Sequence, residues 1–154
     1  MSRAYVALGS NAGDPVVNVE RGLDALATMG TVLLRSSLYR TPPWGKTDQP
    51  DFVNAVVLLQ TSSSPRELLA ALKAAEVRLG RTPGERWGPR VIDLDLLTYD
   101  DVTIDEPDFH VPHAELHRRG FVLVPLAEID PAYASMRDAL DAAEVSGIVR
   151  LTLR

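Results

Sequence analysis

"RWGPRVIDLDLLTYD", residues 86–100, reads as a loop running into a β-strand. Successive side chains of a strand point to opposite faces, so Ile92, Leu94 and Leu96 share one face while Asp93 and Asp95 share the other. The same alternation puts Val91, Leu97 and Tyr99 beside the two acids, so the acidic face is not a plain polar face turned to water. Two like charges about 6.6–7 Å apart repel by roughly 2–3 kcal/mol at the effective dielectric of a half-buried site. A positive group is therefore expected between them. Arg78, Arg81, Arg86 and Arg90 stand just upstream, in a stretch whose only acid is Glu85. This makes a local cationic loop, suited to a small anionic ligand.

Outward from this strand, "AYVALG" (4–9) reads as a buried strand broken by "GSNAGD", where Asp14 can cap a helix that Pro15 begins. Val19, Leu23 and Leu26 recur at helical spacing until Gly30. "TVLLRSSLYR" (31–40) and "FVNAVVLLQT" (52–61) read as strands on either side of the loop "TPPWGKTDQPD". Ser64-Pro65-Arg66-Glu67 is a capping box, and the stripe Leu68, Leu72, Ala75, Leu79 carries its helix to Gly80. Beyond residue 100, "VTI" (102–104) is a hairpin partner for the opening strand, and "PHAELHRRG" a short helical turn. "FVLVPL" (121–126) reads as a strand interrupted or placed at an edge by Pro125, Ser135–Ala143 as a last helix, and "GIVRLTLR" as a half-buried strand. Strands separated by two helices, with a hairpin-rich second half, suggest an α+β, ferredoxin-like sandwich with helices packed on a mainly antiparallel sheet.

The totals agree with one domain over residues 1–154: 45% hydrophobic and 24% charged residues are usual for a globular chain. No apolar run approaches the ~18 residues of a membrane span, and the start lacks a signal-peptide pattern. The absence of cysteine excludes disulfides and thiol chemistry. The expected location is the cytoplasm. A net charge of −5 argues against broad nucleic-acid binding.

Asp93 and Asp95 with neighbouring arginines suit Mg²⁺, a hard ion commonly shared between one or two carboxylates and substrate phosphates. "GSNAGD" lacks the Walker ending and the dinucleotide fingerprint, and supports only a tight turn that brings backbone near a ligand. His113 and His117, with an aspartate, offer a zinc alternative; a lone His113 beside a cationic loop is more simply a phosphate hydrogen-bond donor. Glu76, on the edge of its helix's apolar stripe, either pairs with Arg78 or Arg81 or contacts a ligand. Trp44 and Trp87, in loops, either pack or close over a flat ligand, and Phe52 and Phe121 read as core.

In chain order, "ALGSN", "YRTPPWG", "DQPDFVNA", "ERWGPRVIDLDLL", "VPH" and "RRGFVLVPL" closely resemble the 6-hydroxymethyl-7,8-dihydropterin pyrophosphokinase family of folate biosynthesis. The likeness runs from about residue 4 to residue 130 and is densest from Arg86 to Asp95. It implies Mg²⁺-dependent transfer of pyrophosphate from ATP to the pterin hydroxymethyl group with release of AMP, by a monomer that binds neither nucleic acid nor membrane. It also implies two Mg²⁺ ions, bound with ATP on Asp93 and Asp95, and a pterin stacked between Phe52 and Phe121. Asn54 then reads the pterin's polar edge, helped by Thr41, Pro42 and Trp44. ATP falls to Glu76, Arg81, Arg90, His113 and Arg119, with Arg86 and Trp87 on a closing loop and Arg81 and Arg90 also catalytic. The chain departs from many relatives in the shorter loop at Thr82, Pro83 and Gly84, in Ala114, and in a tail, 131–154, that matches no family pattern. A nucleotide pyrophosphohydrolase would use the same acids and arginines without the planar-ring site, and a non-catalytic nucleotide-binding module would not require the acids.

Overall fold

The computed structural model describes residues 1–43, 48–80 and 90–152. In chain order its strands and helices are β1 (Ser2–Ser10), α1 (Pro15–Leu26), β2 (Thr31–Arg35), β3 (Tyr39–Thr41), β4 (Phe52–Thr61), α2 (Pro65–Arg78), β5 (Asp93–Tyr99), β6 (Ile104–Glu106), β7 (Phe109–Val111), α3 (Gly120–Ile129), α4 (Ala134–Asp138), α5 (Ala142–Val145) and β8 (Val149–Arg150). Among the described residues, the main sheet runs β5-β1-β4-β3-β8, with β2 also paired to β4, and every pairing in it is antiparallel. With β2 and β3 counted as one interrupted strand, the order from β5 across β1 and β4 is that of a β-α-β-β-α-β ferredoxin-like unit.

The two faces of the sheet are covered differently. Ala4, Val6 and Leu8 of β1, Ala55, Val57 and Leu59 of β4, and Leu94 and Leu96 of β5 pack against Val19, Leu23 and Leu26 of α1 and Leu68, Leu72 and Ala75 of α2. The opposite face brings Ala7, Val56 and Leu97 against Val122, Leu123 and Leu126 of α3. Burying each large aliphatic side chain contributes about 1.5–3 kcal/mol, so the first face is the larger source of stability.

The capping box forms as read: Ser64 Oγ accepts from Glu67 N at 3.2 Å and Glu67 Oε1 accepts from Ser64 N at 2.8 Å. Asp14 caps α1 by accepting from Val17 N at 3.3 Å. Several expectations are corrected. "TVLLRSSLYR" is broken, because the buried Ser36 hydroxyl accepts Val56 N at 2.9 Å in place of a ladder carbonyl. Tyr99 does not share the Asp face: the register with β1 shifts between Tyr5 and Val6, which leaves Leu97 as the extra residue and turns Tyr99 into the α1/α2 core. Ile104–Glu106 pairs with β7 in a separate two-stranded sheet, not with β5. Finally, "FVLVPL" is helical, within α3, with Pro125 inside the helix. The expected last helix is two short ones, α4 and α5, and the alternating tail contributes only β8 at the sheet edge, paired to β3.

Candidate active site

Gly9 is the pivot of the site. In the sheet it stands opposite Asn54 of β4 on one side and Asp93 of β5 on the other. Directly opposed residues point to the same face, so Asn54 and Asp93 flank Gly9 across two strand spacings, roughly 10 Å. A Cβ on Gly9 would lie 2.4 Å from Asn54 Oδ1 and 3.8 Å from Phe52 Cδ2. Glycine is thus needed for backbone and amide to approach this closely. Asn54 is buried and donates through Nδ2 to the buried Thr41 hydroxyl at 2.7 Å, and Thr41 is registered against Phe52. Thr41, Phe52 and Asn54 are therefore drawn together at one end of the β3–β4 pair, with Pro42 following. Phe121 lies in the first turn of α3, on the same face of the sheet, with the Arg119 guanidinium 5.5 Å from its ring centre.

The other side of the Gly9 row is acidic. Asp93 and Asp95 are both half-buried on the α3 face, in register with Gly9 and Ala7. Glu76, only 2% exposed, reaches the outer edge of β5 and accepts the Leu94 N–H at 2.7 Å, which fixes the backbone between the two aspartates. Lys73, one turn earlier on α2, stands 3.5 Å from Glu76 Oε1 and 3.9 Å from Asp95 Oδ1. A helix lysine that the strand reading missed thus places positive charge beside Asp95. Its signal was its place three residues before Glu76.

His113 is held by its own backbone, which donates to Leu97 O at 2.8 Å, and its Nδ1 accepts from Glu115 N at 3.1 Å. The neutral ring therefore carries its proton on Nε2. Burial pushes its pKa below the usual 6.5, opposed by Asp95 and Glu115 and reinforced by Arg119 and Lys73. Arg119 is likewise pushed down by burial and drawn back by Asp95, Glu115 and Asp93, and it keeps its charge at neutral pH. His117 is exposed and follows no helix that could set it four residues from His113, since the local structure is a 3-10 turn, Leu116–Arg118. Among the described residues no three His, Asp or Glu side chains are grouped to hold a metal. Two hard carboxylates on one strand face fit the donor set of Mg²⁺, an ion that completes its shell with water and substrate phosphate.

The "GSNAGD" turn ties the two sides together. Asn11 is buried; its Nδ2 donates to Gln49 Oε1 at 2.8 Å and Pro50 O at 3.0 Å, and its Oδ1 accepts Arg90 N at 2.7 Å. The Asn11 N–H also donates to Arg90 O at 3.0 Å. One side chain thereby fixes the segment before Phe52 against the residue that leads into β5. Sequence reasoning, which saw a ligand-approaching turn, missed this bracing role. Of the other expected site residues, Trp44, Arg81, Arg86 and Trp87 lie outside the described residues, as do Thr82, Pro83 and Gly84 of the short loop.

The sequence matches the 7,8-dihydro-6-hydroxymethylpterin-pyrophosphokinase (HPPK) family over residues 5–131. The chain belongs to this family. Proteins named 2-amino-4-hydroxy-6-hydroxymethyldihydropteridine pyrophosphokinase are 45% identical in Methylorubrum extorquens, covering 98% of this chain and 99% of that one, and 40% identical in Pseudomonas aeruginosa, covering 98% of each. A crystal structure of Plasmodium falciparum HPPK-DHPS with pterin and p-hydroxybenzoate aligns over 99% of this chain and 47% of its own, with a TM-score of 0.77 at 14% identity. The chain thus spans about half the length of the solved chains it matches, and the likeness at that identity is one of fold. The HPPK family accounts for the α+β sandwich. In the structure Glu76 braces β5 and pairs with Lys73, while Arg78 is exposed.

Proposed function

We propose that this chain transfers the β,γ-pyrophosphoryl group of ATP to the hydroxymethyl oxygen of 6-hydroxymethyl-7,8-dihydropterin, releasing AMP, as a step of folate synthesis. The observation that carries the reading is the Gly9 row, in which one glycine separates a buried amide from a half-buried acid pair on a single face. In this reading Asn54, preset by Thr41, selects the donor and acceptor edge of the pterin. An analogue without matching groups would leave that buried amide with only its bond to Thr41. Phe52 and Phe121 supply the stacking area, helped by Pro42 and Trp44. Arg81 and Arg90 stabilise charge on the transferred group, with Glu76, Arg86, Trp87, His113 and Arg119 holding ATP. His113, neutral with its proton on Nε2, donates a hydrogen bond to phosphate without adding charge.

Asp93 and Asp95 would hold two Mg²⁺ ions together with the ATP phosphates, and the ions would supply charge neutralisation on the bridging oxygens. The roles of the chain are to align the attacking oxygen with the β-phosphorus and to exclude water. The oxygen–phosphorus bond to the pterin forms as the bond to the α-phosphate bridging oxygen breaks, and the hydroxyl proton is released to solvent. A single monomeric domain over residues 1–154, acting in the cytoplasm, completes the reading; near full-length overlap with the two bacterial relatives supports the domain extent. No helix among the described residues is long and apolar enough to cross a membrane.

The test is to incubate the protein with ATP and Mg²⁺, with and without the pterin, and to separate the products. AMP that appears only with pterin, matched by a pterin diphosphate, is the expected result. AMP with free pyrophosphate regardless of pterin would replace this reading with a nucleotide pyrophosphohydrolase.

A further inference from the structure

The segment after α3 has no part in the roles above, yet it touches Gly120, next to Phe121, and Pro42, both beside the proposed pterin slot. Glu144 of α5 accepts the Gly120 N–H through Oε1 at 2.9 Å, closing the N-terminus of α3 one residue before Phe121. A carboxylate is electrostatically favoured at that end of a helix. The backbones are equally close there, since a Cβ on Gly120 would lie 2.8 Å from the Glu144 carbonyl oxygen. Three residues further on, Gly147 rests against Pro42: a Cβ at 147 would stand 2.5 Å from Pro42 Cγ. The chain then enters β8, with Val149 opposite Arg40 and Arg150 opposite Tyr39, and Leu151 N donates to Leu38 O at 2.8 Å. Residues 144–151 are thus anchored on β3, the strand that ends at Thr41, while they bear on α3 and on Pro42.

We propose that residues 144–151 set the width of the pterin slot, with Glu144 the positioning residue for Phe121 and Gly147 for Pro42. The inference rests on the pterin reading of Phe121 and Pro42. A flat ring gains from stacking only when the walls stand at van der Waals distance, so a shift of α3 by a fraction of an ångström costs binding before it costs folding. Of the residues proposed to hold ATP, Glu76 stands on α2 and His113 ahead of α3, away from the Glu144–Gly120 contact, so release of that contact bears more on the pterin than on ATP.

Steady-state kinetics, with calorimetry of pterin binding in the presence of Mg²⁺ and a non-hydrolysable ATP analogue, tests this on Glu144→Ala, Glu144→Gln, Gly147→Ala and Phe121→Ala. Glu144→Ala is expected to raise the KM for pterin by about fivefold to tenfold and leave that for ATP within about twofold. Glu144→Gln keeps an acceptor oxygen and should recover most of the loss. Gly147 is exposed, so Gly147→Ala should fold normally and weaken pterin binding alone. If Phe121→Ala weakens pterin binding while Glu144→Ala and Gly147→Ala do not, the positioning role is overturned and the pterin reading stands. An equal rise of both KM values in Glu144→Ala, with Gly147→Ala silent, also overturns it. Phe121→Ala with unchanged pterin affinity removes the pterin reading and this proposal together.

Discussion

At Gly9, one hydrogen in place of a methyl decides whether the two halves of the site share a floor. A Cβ there would stand 2.4 Å from Asn54 Oδ1, far inside van der Waals contact, and Asn54 is buried with its amide already committed to Thr41. Gly9→Ala is therefore expected to fold and to bind ATP, but to raise the KM for pterin by about tenfold or more, because the amide must rotate away from its preset orientation. Loss of ATP and pterin affinity in equal measure would mean that the row does not divide the two substrates. On the acid side, Asp95→Asn keeps the shape of the side chain and removes the anionic ligand. Turnover measured as AMP release should fall by at least about 1,000-fold with an unchanged circular dichroism spectrum. A rate near that of the parent would remove Asp95 from the metal assignment. The placement of both aspartates on one half-buried strand face was legible in the sequence because charge among apolar neighbours is conspicuous. Gly9 and Lys73 were not: a glycine's role depends on what approaches it, and Lys73 sits on an exposed helix position whose neighbours only the fold supplies.

The elements divide in the same way between local and tertiary control. The strand at 52–61 and the capping box at Ser64–Glu67 were readable because their signals are complete within a few residues. α3 was not, since "FVLVPL" is apolar at every position and periodicity cannot separate a buried helix from a buried strand. Packing against Ala7, Val56 and Leu97 settles it, and Glu144, from a part of the chain that carries no motif, closes its first turn. The Leu97 bulge in β5 was equally hidden, because it is defined by registration with β1. The strand β5 has its own external support in Glu76, whose buried carboxylate takes the Leu94 N–H. Glu76→Ala leaves that donor without its carboxylate and is expected to lower unfolding free energy by about 2 kcal/mol or more in urea titration. Glu76→Gln should lose less, because an amide oxygen can still accept. Equal stability of the Ala variant and the parent would show that water replaces the carboxylate at no cost.

Across the whole molecule, α1 and α2 pack on one face of the sheet, and α3 packs against Ala7, Val56 and Leu97 on the other, the face that carries the Gly9 row. The site therefore depends on how firmly α3 is moored. Its C-terminal end is tied to the sheet by Tyr5, whose hydroxyl donates to Asp130 Oδ2 at 2.8 Å, and by Glu128, whose carboxylate accepts from Ser37 N and Ser37 Oγ at 2.9 Å each and from Tyr39 OH at 2.7 Å. Burial alone would raise the pKa of Glu128, but the hydrogen bonds from Tyr39 and Ser37, with Arg150 nearby, outweigh it and hold the carboxyl below its usual 4.5. Burial and the same Glu128 contact push Tyr39 up to about 12. The folded carboxyl thus binds its proton less readily than the unfolded one. Its contribution to stability is present above the unfolded pKa of about 4.5 and is lost as pH falls through the lower, folded value. Glu128→Gln cannot titrate there, so the stability gap between parent and variant should be constant from about pH 8 to 5.5 and narrow steadily below about pH 4.5. Urea titrations of both proteins across that range measure the gap directly. A gap as wide at pH 3 as at pH 7 would mean that the charge of Glu128 does not moor α3, and that the helix is held against the sheet by its apolar face alone.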